Sequence, residues 1–404
     1  MSLDKNNLYR LPWSLNDNPI GWLEITDKCN LDCKGCYRTE LEGHKPLEKI
    51  KEEILFLKRW RNCDNISIAG GEPLIHPDIM DIVDFVYKNR MKPFILTNGL
   101  TMDKTNLSEL KKAHLFGLGL HVDCHQQRPN WGGKNDLELC DLRQEYADLI
   151  TEVGGLTTTF GITVYKENFS YVPDLVEWAL KNRGKVQAFV FITYRGALIR
   201  EGMEYTVNGR RLKIDPETLG YATDGAPEDI GIKSNDVYHL IKERFPQYQA
   251  SAYLGGTQDH SSFKWLIGLM IGTEEEILGS MGEKGMEFVQ AMHHLFCKSY
   301  AVYLKDSSLG KRLFLLSLVD PEVRKAFGRF MRSPLRLFSG RVYGLGIGII
   351  QAPDLLPDGR VDMCDSCPDM CYFEDKLVNS CRLDEYRKFG GLMTPVLNND
   401  KTRQ

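Results

Sequence analysis

The chain has 404 residues, 42% of them hydrophobic and 26% charged, as expected of an ordinary folded protein. With 51 Lys and Arg against 55 Asp and Glu, the net charge of −4 excludes the bulk basic footprint of a nucleic-acid or anionic-membrane binder. The length asks for one large domain with additions, or for two to three units.

Met1–Asp17 lacks the charged and apolar regions of a signal peptide. The best apolar runs, Trp265–Gly272 and Leu313–Val319, are too short to span a bilayer. A cytoplasmic location is therefore expected, where eleven cysteines in clusters point to metal or cluster ligation before disulfides.

Strands and helices alternate through the first half. Strands are expected at Ile20–Thr26, Asn65–Ala69, Pro93–Thr97, Leu118–Val122, Thr157–Val164 and Val186–Thr193. Between them, helices are expected at Leu47–Trp60, Asp78–Asn89, Leu107–His114, Asp141–Val153 and Val172–Asn182. This rhythm implies parallel βαβ units with right-handed crossovers, and six units suit an open partial barrel better than a closed one. The expected fold is α/β: a partial (β/α)6 TIM-type barrel over 1–196, a loop-rich then mainly helical insertion over 197–350, and a cysteine-rich segment over 351–404. Within the insertion, Ser234–Arg244 reads as a helix, and the apolar stretch Ser262–Arg341 as a helical core or, alternatively, a greasy substrate channel. Lys325, Arg329 and Arg332 read as a solvated helix face, and Gly344–Ile350 as a further strand.

In parallel α/β folds ligands collect at the carboxyl ends of the strands. Three motifs fall there. Cys29, Cys33 and Cys36 follow the first strand, Gly70-Gly71-Glu72-Pro73 the second, and Thr97-Asn98-Gly99 the third. Three thiolates at this spacing can hold three irons of a [4Fe–4S] cubane and leave the fourth open. The competing site is zinc, with His44 as fourth ligand. Glycines allow the backbone to approach a ligand closely, and carbonyls beside Glu72 can accept from an ammonium group.

The run Cys29-Asn-Leu-Asp-Cys33-Lys-Gly-Cys36-Tyr37 resembles the CxxxCxxC signature of the radical S-adenosylmethionine (radical SAM) superfamily, and Gly70–Pro73 resembles its GGEP element. The resemblance covers about residues 20–195. It implies a [4Fe–4S] cluster on Cys29, Cys33 and Cys36, and S-adenosylmethionine chelated to the open iron. Reductive cleavage would then yield a 5′-deoxyadenosyl radical that abstracts hydrogen. It further implies cofactor contacts from Gly70, Gly71, Glu72, Pro73, Asn98, Asp123 and Thr163, and a carboxylate partner in Arg195. One departure stands out: Gly35 occupies the place of an aromatic that the family usually sets beside the adenine. Cys124, just past the fourth strand, is the candidate hydrogen-atom donor.

Cys364, Cys367, Cys371 and Cys381 satisfy either a second [4Fe–4S] cluster or an all-cysteine zinc site. Similarity to relatives with a C-terminal auxiliary (SPASM-like) cluster favours iron–sulfur. Expected partners are an electron donor such as a ferredoxin or flavodoxin and a peptide, lipid or isoprenoid, or small-metabolite substrate. Nucleic acid and a transmembrane segment are not expected. The rival expectation is a non-catalytic iron–sulfur or zinc protein for electron transfer or scaffolding. His121 and His125 lack the helix and glutamate of a zinc protease. His114, His260, His293 and His294 support no hydrolytic triad.

Overall fold

The computed structural model describes residues 3–39, 42–194, 204–212, 231–305, 308–333, 340–356 and 358–396. Arg195, expected to meet a carboxylate, lies outside the described residues. Six parallel strands form the heart of the sheet: β1 Ile20–Thr26, β2 Asn65–Gly70, β3 Lys92–Thr97, β4 Gly117–His121, β5 Thr157–Val164 and β6 Ala188–Thr193. They lie in sequence order, as successive right-handed crossovers dictate. Helices α1 Leu47–Arg61, α2 Ile79–Lys88, α3 Lys104–Lys112, α4 Cys140–Val153 and α5 Val172–Lys181 fill the crossovers. Their apolar stripes, such as Ile50, Ile54 and Leu57 of α1, are buried against the strands.

The expected α/β partial barrel is thus present, with element ends shifted by a few residues. One expectation is wrong. Phe263–Gly272, read as helix, is the ten-residue strand β8, bracketed by β7 Ala252–Gly255 and β9 Ile277–Ser280. Eight of its ten residues are buried, so both faces are apolar and the alternation that would mark a strand is lost. Helix α6 Ser234–Arg244 forms as expected before β8, and among the described residues α7 Glu283–Cys297, a 3-10 helix at Lys311–Leu318 and α8 Pro321–Phe330 follow. The further strand, β10 Tyr343–Gln351, extends the parallel set by pairing with β6 and takes β8 antiparallel on its other edge. The sheet therefore runs unbroken from the barrel into the later sequence.

The cysteine-rich segment returns to the opposite edge, beside β1. Its hairpin Met370–Phe373/Lys376–Asn379 and helix α9 Leu383–Phe389 pack there, with Tyr372 edge-on to Phe56 at 4.7 Å. Two buried arginines hold it. Arg61, fully buried, donates to the carbonyls of Ile20 (2.9 Å), Cys367 (3.0 Å) and Pro368 (2.9 Å). Arg38 donates to Glu24 (2.5 Å), Asp384 (2.8 Å) and the Ser380 carbonyl (3.0 Å). The acids beside Arg38 hold its guanidinium well above its ordinary value despite complete burial.

Arg61→Leu strands three buried carbonyls without donors and is expected to destabilise the protein by about 3–5 kcal/mol, read as a lower urea midpoint. An unchanged midpoint would mean that water reaches those carbonyls.

Candidate active site at the carboxyl edge of the sheet

The loop after β1 and the loop after β2 are joined backbone to backbone. Gly71 N donates to Thr26 O and Glu72 N to Lys28 O, both at 2.8 Å. A Cβ on Gly71 would lie 2.0 Å from Lys28 O, and one on Gly70 would lie 2.1 Å from Thr26 O. Gly70 also has φ +128°, which side chains other than hydrogen rarely adopt. Both glycines are therefore steric requirements of the mouth.

Glu72 is wholly buried. Its carboxylate accepts from Thr97 Oγ1 (2.7 Å), Asn98 N (2.7 Å) and Leu74 N (2.9 Å). Burial raises its pKa and these three donors oppose the rise. Glu72 is thus a bolt between the second and third strand ends, with little accepting capacity left over. Pro73 opens the short 3-10 turn that follows. Asn98 carries the connection back: its Nδ2 donates to Asn30 Oδ1 at 2.7 Å and sits 3.9 Å from Cys29 Sγ.

The structure brings Cys29, Cys33 and Cys36 onto one loop at this mouth, where each thiol feels the charge of another. Burial pushes all three thiols up, Cys33 furthest, with Asp123 and the other two cysteines adding to the effect there. Three soft donors that repel one another as thiolates suit a cationic multi-iron group. Among the described residues, the one set of three metal-binding side chains drawn within 4.8 Å of one another is Cys124, His125 and Glu167. The cysteine triad lies outside that set. His44, the fourth ligand of the zinc alternative, packs edge-on to His76 at 5.1 Å.

Past β4, buried Asp123 pairs with His121 Nε2 (2.8 Å) and accepts from His125 N (2.9 Å). Burial opposes its ionisation, but the His121 contact and the backbone donors outweigh that and hold the carboxyl below its usual value. Thr163, on β5, reaches His121 Nε2 at 3.2 Å. Beside them opens a cavity of about 540 Å3 lined by Lys34, Asp123, Cys124, His125, Arg128 and Trp131. Burial pushes the Cys124 thiol up, and Asp136, Asp123 and Glu167 push it further.

Sequence reasoning missed two residues here. Arg128 is buried within the electrostatic reach of Cys33 and Asp123, and is held by Gln126 Oε1 (2.7 Å) and His121 O (2.6 Å). No motif announces it. Tyr165, also buried, stacks edge-on with His125 at 4.5 Å, and its hydroxyl would lie 2.6 Å from a Cβ on Gly35. Gly35 is the signal that could have pointed to it: a missing side chain beside a cysteine implies that another residue fills the space.

In the C-terminal segment, Cys364, Cys367 and Cys381 lie within electrostatic reach of one another, and Cys367, burial and Cys381 raise the Cys364 thiol. The neighbouring Cys364 is the main cause that lowers the Cys367 thiol, with Asn379 and Arg61 assisting against burial. Cys371 turns aside, donating to Val378 O at 3.5 Å within an apolar cluster with Val378 and Leu383.

Residues 23–179 match the Radical SAM superfamily model. That segment spans β1 to α5 and holds both the cysteine loop and the glycine pair. The chain carries a Radical SAM domain. Among curated proteins, the subtilosin biosynthesis protein AlbA of Bacillus subtilis is 38% identical over 22% of this chain and 20% of its own length. The S-adenosylmethionine-dependent nucleotide dehydratase of Selenomonas ruminantium is 38% identical over 25% of this chain and 38% of its own length. A probable GTP 3′,8-cyclase of Methanocaldococcus jannaschii is 26% identical over 46% of this chain and 62% of its own length. The chain thus spans less than two thirds of each of these relatives. Among solved structures, Streptococcus suis SuiB bound to S-adenosylmethionine overlaps 56% of this chain and 47% of its own, at 16% identity and a TM-score of 0.40. The Radical SAM domain implies a [4Fe–4S] cluster and S-adenosylmethionine.

Two substitutions test the geometry. Gly71→Ala drives a methyl into a backbone carbonyl and is expected to cost about 3 kcal/mol in urea unfolding. Gly35→Ala presses on the Tyr165 hydroxyl and is expected to cost about 1 kcal/mol. In a Tyr165→Phe background that cost should fall by about 0.5 kcal/mol or more; strict additivity would show that the two residues do not touch.

Proposed function

We propose that this chain is a radical SAM enzyme that uses Cys29, Cys33 and Cys36 to hold a [4Fe–4S] cluster, cleaves S-adenosylmethionine and abstracts hydrogen from a substrate carbon. The observation that carries this reading is that the cysteine loop and Gly70–Glu72 are hydrogen-bonded together at one strand-end mouth, inside the segment that matches the family. When bound, the cluster supplies the electron that splits the sulfonium C–S bond and releases a 5′-deoxyadenosyl radical.

The chain's own residues bind, orient and exclude water. Backbone carbonyls at Gly70 and Gly71 are the proposed acceptors for the methionine ammonium group, with Glu72 and Pro73 fixing their direction and Asn98 fixing the cysteine loop beside them. Asp123 and Thr163 face the nucleoside. Arg128, buried beside Cys33, is the cation proposed for the methionine carboxylate, the role first given to Arg195. Cys124 is the candidate hydrogen-atom donor, since its raised pKa keeps the S–H bond that such a donor needs. Cys364, Cys367 and Cys381, with Cys371 as fourth, are proposed to hold an auxiliary [4Fe–4S] cluster, zinc being the alternative. A ferredoxin or flavodoxin would deliver electrons. The substrate would be a peptide, a lipid or isoprenoid, or a small metabolite.

The test is anaerobic. Protein reconstituted with iron and sulfide, then given dithionite and S-adenosylmethionine, should yield 5′-deoxyadenosine, and Cys33→Ala should abolish it. A fully loaded protein that yields none with any substrate class would leave the electron-transfer or scaffold reading in its place. Metal analysis should find about eight irons per chain; about four irons with one zinc would reassign the C-terminal group. Arg128→Leu should raise the KM for S-adenosylmethionine by about tenfold or more, as expected from the loss of a buried charged contact.

A further inference from the structure

Between β9 and β10 the 3-10 helix Lys311–Leu318 runs into α8 and forms a knuckle on the surface. A 3-10 helix has three residues per turn, so residues i and i+3 stack in rows. The row Lys311–Phe314–Ser317 turns Phe314 inward, against Phe327 and Phe330 with ring centroids 5.0 Å away in each case. The row Arg312–Leu315–Leu318 faces solvent along its whole length. Leu315 is 69% exposed, and Leu318, at 79%, is the most exposed large hydrophobic side chain among the described residues. Two leucines in line on an outward ridge are unfavourable in water and call for a cover.

The charge around the ridge indicates what covers it. Residues 311–333 hold six basic side chains (Lys311, Arg312, Arg324, Lys325, Arg329 and Arg332) and two acids (Asp320 and Glu322), in a chain of net charge −4. Asp320 is buried and spent on capping, accepting from Val323 N (2.8 Å) and Gly285 N (2.6 Å). Arg324 donates to Ser317 O (2.9 Å) and Leu318 O (3.3 Å), which sets its guanidinium directly beside the leucine ridge. Lys325 pairs with Glu322 at 2.7 Å, while Arg312, Arg324 and Arg332 are exposed, as is Met331.

We propose that this knuckle docks on the surface of an anionic lipid bilayer. Leu315 and Leu318 enter the boundary between headgroups and acyl chains, while Arg312, Arg324 and Arg332 pair with lipid phosphates. Long basic side chains around a narrow apolar ridge can keep their heads in the phosphate layer while their stems lie along the leucines. A bilayer accepts a ridge without the matching groove that a protein partner would have to supply. Bulk charge concealed this surface because the excess of basic residues is local to residues 311–333, where six face two acids. No described helix is long and apolar enough to cross a membrane, so the contact is peripheral.

The full-length protein is sedimented with vesicles of phosphatidylcholine alone and of phosphatidylcholine mixed with phosphatidylglycerol. Binding to the mixed vesicles only, weakened by salt, is expected. The double variant Leu315→Asp/Leu318→Asp should lower partitioning by about tenfold or more. Arg312→Glu/Arg332→Glu should lower it and flatten the salt dependence. All four positions are exposed, and an unchanged circular dichroism spectrum would confirm that the fold survives. No binding to either vesicle, or equal binding to both, overturns the proposal. So does a dimer, seen by light scattering without lipid, that the leucine variant dissolves, because the ridge would then belong to a second copy of the chain.

Discussion

The mouth of this sheet rests on a contact between two stretches of backbone. The amides of Gly71 and Glu72 donate to the carbonyls of Thr26 and Lys28 at 2.8 Å, an approach that no residue with a Cβ at 70 or 71 permits. From that contact the cysteine loop gains a fixed floor. Glu72, drawn into the interior by the same geometry, accepts from Thr97 and Asn98 and so carries the constraint to the third strand. Asn98 then returns it to Asn30, between the first two cysteines. Three strand ends become one unit because every link is a short hydrogen bond, buried at Glu72 and part-buried at Asn30.

The cysteine loop is held from its other side as well. Arg38, two residues after Cys36, binds Glu24 on β1 and Asp384 with Ser380 in the C-terminal segment. Asp384 also accepts from Thr39 N at 2.9 Å, and Arg387 reaches Asp27 at 2.9 Å. The second cysteine group is therefore mechanically continuous with the first. A buried guanidinium shared between two carboxylates tolerates little displacement, since moving either acid leaves a charge uncompensated in the interior. A perturbation of the C-terminal segment would thus be felt at Cys36.

The six core strands and their helices were legible in sequence because each carries its own period and its own breakers, and Thr157–Val164 agrees to the residue. Phe263–Gly272 was not legible. A strand buried on both faces has no polar side, so its composition matches that of a buried helix. Gly70–Pro73 and the cysteines were legible as motifs because close backbone approach and soft-metal ligation each demand particular residue types. Arg128 was not, because an arginine in a loop becomes a buried cation only when His121, Gln126 and the β4 turn fold around it. Tyr165 belongs between these cases: its absence from position 35 is visible in sequence, but its presence against Gly35 is a fact of packing.

By itself the sequence determined the class of chemistry: three thiols at short spacing after a strand, and a glycine pair after the next. Those are local requirements, satisfied by neighbours along the chain. The tertiary structure decided what lies across from them. It spends Glu72 on holding strand ends together, sets Arg128 beside Cys33, gathers Cys364 and Cys367 with Cys381 while turning Cys371 aside, and leaves a leucine ridge outside a basic helix. Each of these depends on residues far apart in the chain or on which face of an element is covered. Spacing and composition carry no record of either, because burial is assigned only when the whole sheet has closed around its helices.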